Sequence, residues 1–145
     1  SWSTAEVLIG KQVTADSALI DILGALYAGA GDASVSPGAL AVTEITSENL
    51  SYYFGVDSLP FTEGLACEPT FSSSPHSVCL LRLKDGADVE QAKKEIRENV
   101  NPYKWICVGV AEENIRVENI GNLILLVMDN NAPDAFTESF FALSE

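Results

Sequence analysis

From Asp16 onward, apolar positions recur at Leu19, Ile20, Leu23, Leu26 and Tyr27, intervals of three and four residues that place them on one face of a helix. Alanine-rich neighbours favour that helix, and Gly29 and Gly31 supply its stop. The run GDASVSPG, residues 31 to 38, clusters small and turn residues and sets a helical N-terminal segment, residues 1 to 40, apart from the remainder, residues 41 to 145, within one globular unit. The first fifteen residues read two ways. Ser3 and Glu6 are spaced as a capping box, whereas Val7, Ile9 and Val13 alternate as in a strand.

Further on, Ala41 to Ile45 reads as a short strand, and Ser47 can cap a brief helix that runs through Phe54 and closes at Gly55. Gly64 to Phe71 and Ser77 to Leu83 are strand-like and joined by a Ser-Pro turn, which predicts a hairpin. Asp88 is placed as the N-cap of a helix, with Gln91 three residues on, Val89, Ala92, Ile96 and Val100 on one side, and Pro102 as terminator. Ile115 to Ile120 alternates apolar and polar residues, Gly121-Asn122 forms a tight turn, and Leu123 to Met128 is almost wholly apolar, as in a central strand. Pro133 opens a last helix with Ala135, Phe136, Phe140 and Phe141 as its packing face. These elements predict an α+β domain, an antiparallel sheet with helices packed against it.

The chain has 145 residues, one domain's worth, and its 47% hydrophobic content suffices for a full core without metals or disulfides. A formal charge of -13 repels nucleic-acid phosphates and anionic headgroups, so nucleic acid is not an expected partner. The most apolar runs, Ala18 to Ala30 and Ile120 to Met128, fall short of the roughly 20 residues needed to span a bilayer. Neither a charged n-region with an apolar h-region nor an initiator methionine opens the chain, so Ser1 reads as the start of a processed or trimmed chain from which any export signal is already gone. Three cysteines are too few for a disulfide scaffold and leave the redox compartment open.

The only histidine, His76, lies three residues from Cys79. In a strand that separates them by roughly 10 Å and puts them on opposite faces, which argues against a Cys/His nucleophile pair and for a solvent-facing turn histidine. On that reading His76→Ala leaves folding unchanged. Cys79, between Val78 and Leu80, reads as a buried, inert thiol. Cys67, His76, Cys79 and Cys107 lack the C-x₂₋₄-C knuckle of a zinc site and read instead as separate core thiols beside a turn. If the hairpin turn centres near Ser73, positions 67 and 79 face each other across the ladder with Cβ atoms roughly 4.5 to 5.5 Å apart, which makes Cys67 with Cys79 the candidate disulfide and leaves Cys107 free. DNNAPD, residues 129 to 134, lacks the glycine and glutamate of an EF-hand loop and reads as helix capping. The candidate ligand-binding residues are Tyr52 and Tyr53, which point to different faces of their element, while Trp105 beside Ile106, Cys107 and Val108 reads as core.

Three stretches carry a family resemblance: SENLSYYFGVD, VCLLRLKDGADVEQAKKEIREN, and NPYKWICVGVAEENIRVENIGNLILLVMDN followed by a short C-terminal helix. With their Tyr-Tyr-x-Gly, Lys-Trp-Ile-Cys and Ile-Gly-Asn signatures, they resemble DUF4358, a family of bacterial domains without an assigned activity. The resemblance runs from about Glu44 to Phe141 and covers none of residues 1 to 40. It implies a small exported protein of Gram-positive anaerobes, tethered as a lipoprotein through a lipid anchor upstream of this chain, and it carries over no catalytic residue. The expectation is therefore an extracytoplasmic, non-enzymatic domain, without cofactor or metal, that binds a small ligand or a protein partner at the envelope. The rival readings are a carboxylate-dependent hydrolase and a structural or assembly protein. A deep pocket with converging carboxylates favours the hydrolase, and a shallow aromatic patch favours binding.

Overall fold

The computed structural model describes residues 12 to 31, 40 to 70, 74 to 105 and 107 to 143. Helix α1 (Leu19–Ala30) is followed by strand β1 (Leu40–Glu44), helix α2 (Leu50–Phe54), strands β2 (Phe61–Pro69) and β3 (His76–Leu83), and helix α3 (Val89–Asn99). A 3₁₀ turn (Glu112–Asn114), strands β4 (Ile115–Ile120) and β5 (Leu123–Asp129), and helix α4 (Pro133–Ala142) complete it. The sheet order is β1-β2-β3-β5-β4 and every pairing is antiparallel, so the α+β architecture expected from the pattern is the one observed. Among the described residues no helix is long and apolar enough to cross a membrane.

Local chemistry sets the element ends. Asp88 accepts a hydrogen bond from the Gln91 amide and so satisfies a free N–H at the start of α3. Gly31 (φ 58°) stands at the end of α1 and Gly55 (φ 82°) at the end of α2, both in the positive-φ region that costs glycine nothing. Added to Gly55, a Cβ would lie 2.3 Å from the Asn99 backbone, so α2 and the end of α3 meet only because that side chain is missing.

The two central strands, β3 and β5, are apolar along nearly their whole length because helices cover both faces of the sheet. One face packs Cys79, Leu81, Ile124, Leu126 and Met128 against α2, α3 and the side chains of Val100, Trp105 and Val110. The other packs Cys67, Val78, Leu80, Leu125 and Val127 against α1 and α4. Helix α1 is thus part of the core, not an arm set apart by the 31 to 38 run. On α4 the packing face is Phe136 and Phe140, continued by Leu143 just past the helix end, whereas Phe141, expected inside, is exposed. Phe140 and Phe141 are adjacent, so their side chains diverge by about 100° around the helix, and only one of them can face the sheet squarely.

Candidate functional site

Helix α2 carries Tyr52 and Tyr53 on adjacent positions, and their rings meet edge to face with centroids 4.9 Å apart. The segment after α3 brings Lys104 beneath them. Its Nζ lies 4.5 Å from the Tyr52 centroid, 4.9 Å from Tyr53 and 5.2 Å from Trp105, and donates to Glu68 Oε2 of β2 at 2.5 Å. The Lys104 side chain is 4% exposed and that of Glu68 13%, so this is a desolvated ion pair walled by three π faces. Burial, followed by the nearby Glu68 carboxylate, raises the Tyr52 phenol above its ordinary range. Burial also raises Tyr53, partly offset by a hydrogen bond with Thr43. Both rings therefore stay neutral beside the cation.

Trp105 belongs both to this box and to a neighbouring cleft. Tyr52 is 49% exposed and Tyr103 70%, and Tyr103 and Trp105 line an open cleft of about 280 Å³ with Cys107, Val108 and Gly109. Trp105, 7% exposed, belongs to both box and core. The loop is anchored independently of Lys104. Val110 N–H donates to the Pro102 carbonyl, and Asn130 accepts from Ala111 N–H while donating to the Gly109 carbonyl. Tyr52 and Tyr53 are thus brought together with two charged residues, Lys104 and Glu68, that the sequence reading did not select.

A second polar cluster lies on the opposite face, and it corrects the reading of His76. The residue opens β3 as the cross-strand partner of Asp129 and is 3% exposed. Its Nδ1 lies 3.2 Å from Asp129 Oδ1 and its Nε2 2.6 Å from the Tyr27 hydroxyl. Because an ionised carboxylate only accepts, Nδ1–H donates to Asp129, and Nε2 shares the second hydrogen bond with the Tyr27 hydroxyl. Asp129 Oδ2 takes the Ala132 amide at the start of α4. Burial pushes the Asp129 carboxyl up, but the His76 hydrogen bond, the Ala132 and Asn131 amides and the His76 charge outweigh it and hold the group below the usual range. Burial drives the Tyr27 phenol well above its ordinary value, and the Cys67 thiol is hydrogen-bonded to it. A hydroxyl, imidazole and carboxylate in this order match the roles of a hydrolytic triad. Here each member is enclosed and saturated, Tyr27 at 8% and Asp129 at 1% exposure, so the chain fastens α1 and α4 to the sheet.

The expected Cys67 to Cys79 bridge does not form. The register pairs Cys67 with Val78 and Cys79 with Ala66, and this one-residue offset sends the two thiols to opposite faces. Both are free and buried. Burial pushes Cys67 up to about 11 and Cys79 up to about 12, so both stay protonated near neutrality. Cys107, expected as a third core thiol, is exposed at φ 59° on the rim of the aromatic cleft.

A cleft of about 230 Å³ holds two carboxylates, Glu98 and Glu112, together with Arg97. Both acids are exposed, and Arg97 Nη2 donates to the Val117 carbonyl, so nothing encloses a substrate between them. Among the described residues no group of three or more His, Cys, Asp or Glu side chains could hold a metal ion. No protein-family model, no curated protein and no solved structure matches this chain. The likeness to DUF4358 rests on the residues quoted for it.

Proposed function

We propose that this chain is a non-enzymatic binding domain that docks a protein partner of the cell envelope on the surface formed by Tyr52, Tyr103 and Trp105. The observation that carries this reading is a pair of exposed tyrosines joined through Trp105: Tyr52, 49% exposed, walls the Lys104 cation with Trp105, and Tyr103, 70% exposed, lines the open cleft with Trp105. Exposed aromatic rings grouped with a charge supply the anchors of protein interfaces. The charge of -13 adds long-range attraction for a basic partner. Extracytoplasmic placement on a lipid tether is the part of the proposal supported by the DUF4358 resemblance. Fractionation and fatty-acid labelling of the full-length protein test it, and a soluble, unlabelled cytosolic protein overturns it.

The docking surface is tested by placing a photo-crosslinking amino acid at position 103 or, as a control, at exposed position 141 across the sheet. The expected result is one adduct of defined mass from position 103 only, lost when Tyr52 is changed to Ala. Equal adducts from both positions, or none from position 103, overturn the surface.

A further inference from the structure

We infer that the box formed by Tyr52, Tyr53, Trp105 and Glu68 is a recognition site for a primary alkylammonium group, a lysine side chain of the partner, and that Lys104 is its built-in competitor. This deepens the docking surface proposed above and rests on it.

The chemistry of the walls selects the ligand. Three ring faces within 5.2 Å of one nitrogen favour a cation, and Glu68 at 2.5 Å requires one that donates a hydrogen bond. A neutral or anionic group entering in place of Lys104 would strand the Glu68 carboxylate in a desolvated site, so only like-for-like exchange keeps it paired. A planar guanidinium is broader than an ammonium and suits flat, bidentate partners, whereas this box presents a single carboxylate oxygen to a compact cation. Exchange is mechanically simple. Tyr52 forms an exposed wall, and Val110 is tied to Pro102 by a backbone hydrogen bond that does not involve Lys104, so Lys104 can leave without loosening the sheet.

The test uses the whole chain carrying Trp2→Phe, so that the indole N–H resonance of Trp105 is the only one. Nα-acetyl-lysine methylamide is titrated against its neutral analogue, Nα-acetyl-norleucine methylamide. Lys104→Ala is expected to bind the lysine probe at least about tenfold more tightly than wild type, because the internal competitor is gone. It should bind the norleucine probe at least about tenfold more weakly than the lysine probe, and Glu68→Gln should abolish the preference. Equal binding of the two probes by Lys104→Ala overturns the inference. If Lys104→Ala does not fold unaided, refolding yields with each probe decide instead: rescue by the lysine probe alone supports it, and equal yields overturn it. A position-103 adduct that persists without lysine preference removes the ammonium inference and leaves the docking surface standing, whereas loss of the adduct removes the surface.

Discussion

Replacing His76 with Ala tests the buried chain. The change removes the imidazole hydrogen bonds to the Tyr27 hydroxyl, which keeps its Cys67 contact, and to one oxygen of Asp129, in a region where all three residues are under 9% exposed. Leaving a buried donor or acceptor unsatisfied costs about 1–3 kcal/mol, and more where the group is charged, as the Asp129 carboxylate is. Asp129 keeps its Ala132 and Asn131 amides, which holds the expected loss near the top of that range, about 3 kcal/mol. That is a large share of the roughly 5–15 kcal/mol available to a domain, and with a urea slope of about 1–3 kcal/mol/M it moves the unfolding midpoint by about 1–3 M. Tyr27→Phe removes only the hydroxyl and is expected to cost about 1 kcal/mol. In the double-mutant cycle the two changes should be non-additive by at least about 0.5 kcal/mol. A His76→Ala loss below about 1 kcal/mol, or strict additivity, refutes the fastening role.

Asp129 titrates below its ordinary range in the fold, so its ionisation contributes stability that is complete above the unfolded-state value, about 3.9, and is lost as pH falls through the lower folded value. The stability gap between wild type and Asp129→Asn should therefore narrow between about pH 5 and about pH 2, and a constant gap contradicts the shift. Of the chain's 3 cysteines, only Cys107 should react with an aromatic disulfide reagent in the reduced native protein, with all 3 reacting in denaturant. Gly55→Ala, with a Cβ 2.3 Å from the Asn99 backbone, should destabilise by well over the roughly 1–2 kcal/mol of left-handed strain expected for Gly121→Ala, whose Cβ meets nothing within 4 Å. Equal losses in urea melts would mean that α3 gives way more easily than its packing implies.

Periodicity located the described helices and strands because each has a strong local signal: three- and four-residue spacing in α1, the Asp88 cap in α3, the Gly121-Asn122 turn between β4 and β5. Faces were harder to read. A histidine opening a strand after a Ser-Pro turn looks solvent-exposed if one face of the sheet is open, but this sheet is covered on both faces, so position 76 is interior whichever way it points. Its partners lie 49 and 53 residues away, beyond any local pattern. The register of β2 against β3 differs from the expected one by a single residue, enough to turn a cross-strand cysteine pair into two thiols on opposite faces. Tyr52 and Tyr53 were visible as clustered aromatics. Lys104 and Glu68 were not, since a lysine and a glutamate draw attention only when the fold removes both from water. Tyr-Lys-Trp at 103 to 105 held the available hint, a charge flanked by two large rings.

On the function proposed above, the exposed rings of Tyr52 and Tyr103 serve a partner and not the core. Tyr52→Ala/Tyr103→Ala, measured side by side for urea stability and for photo-adduct yield with the crosslinker moved to position 108, tests it most directly. The expected result is a stability loss within about 1.5 kcal/mol, the scale of exposed aromatic and cation contacts, with the adduct abolished. A double variant that unfolds while wild type forms no adduct at position 108, or one that keeps the adduct at wild-type yield, contradicts it.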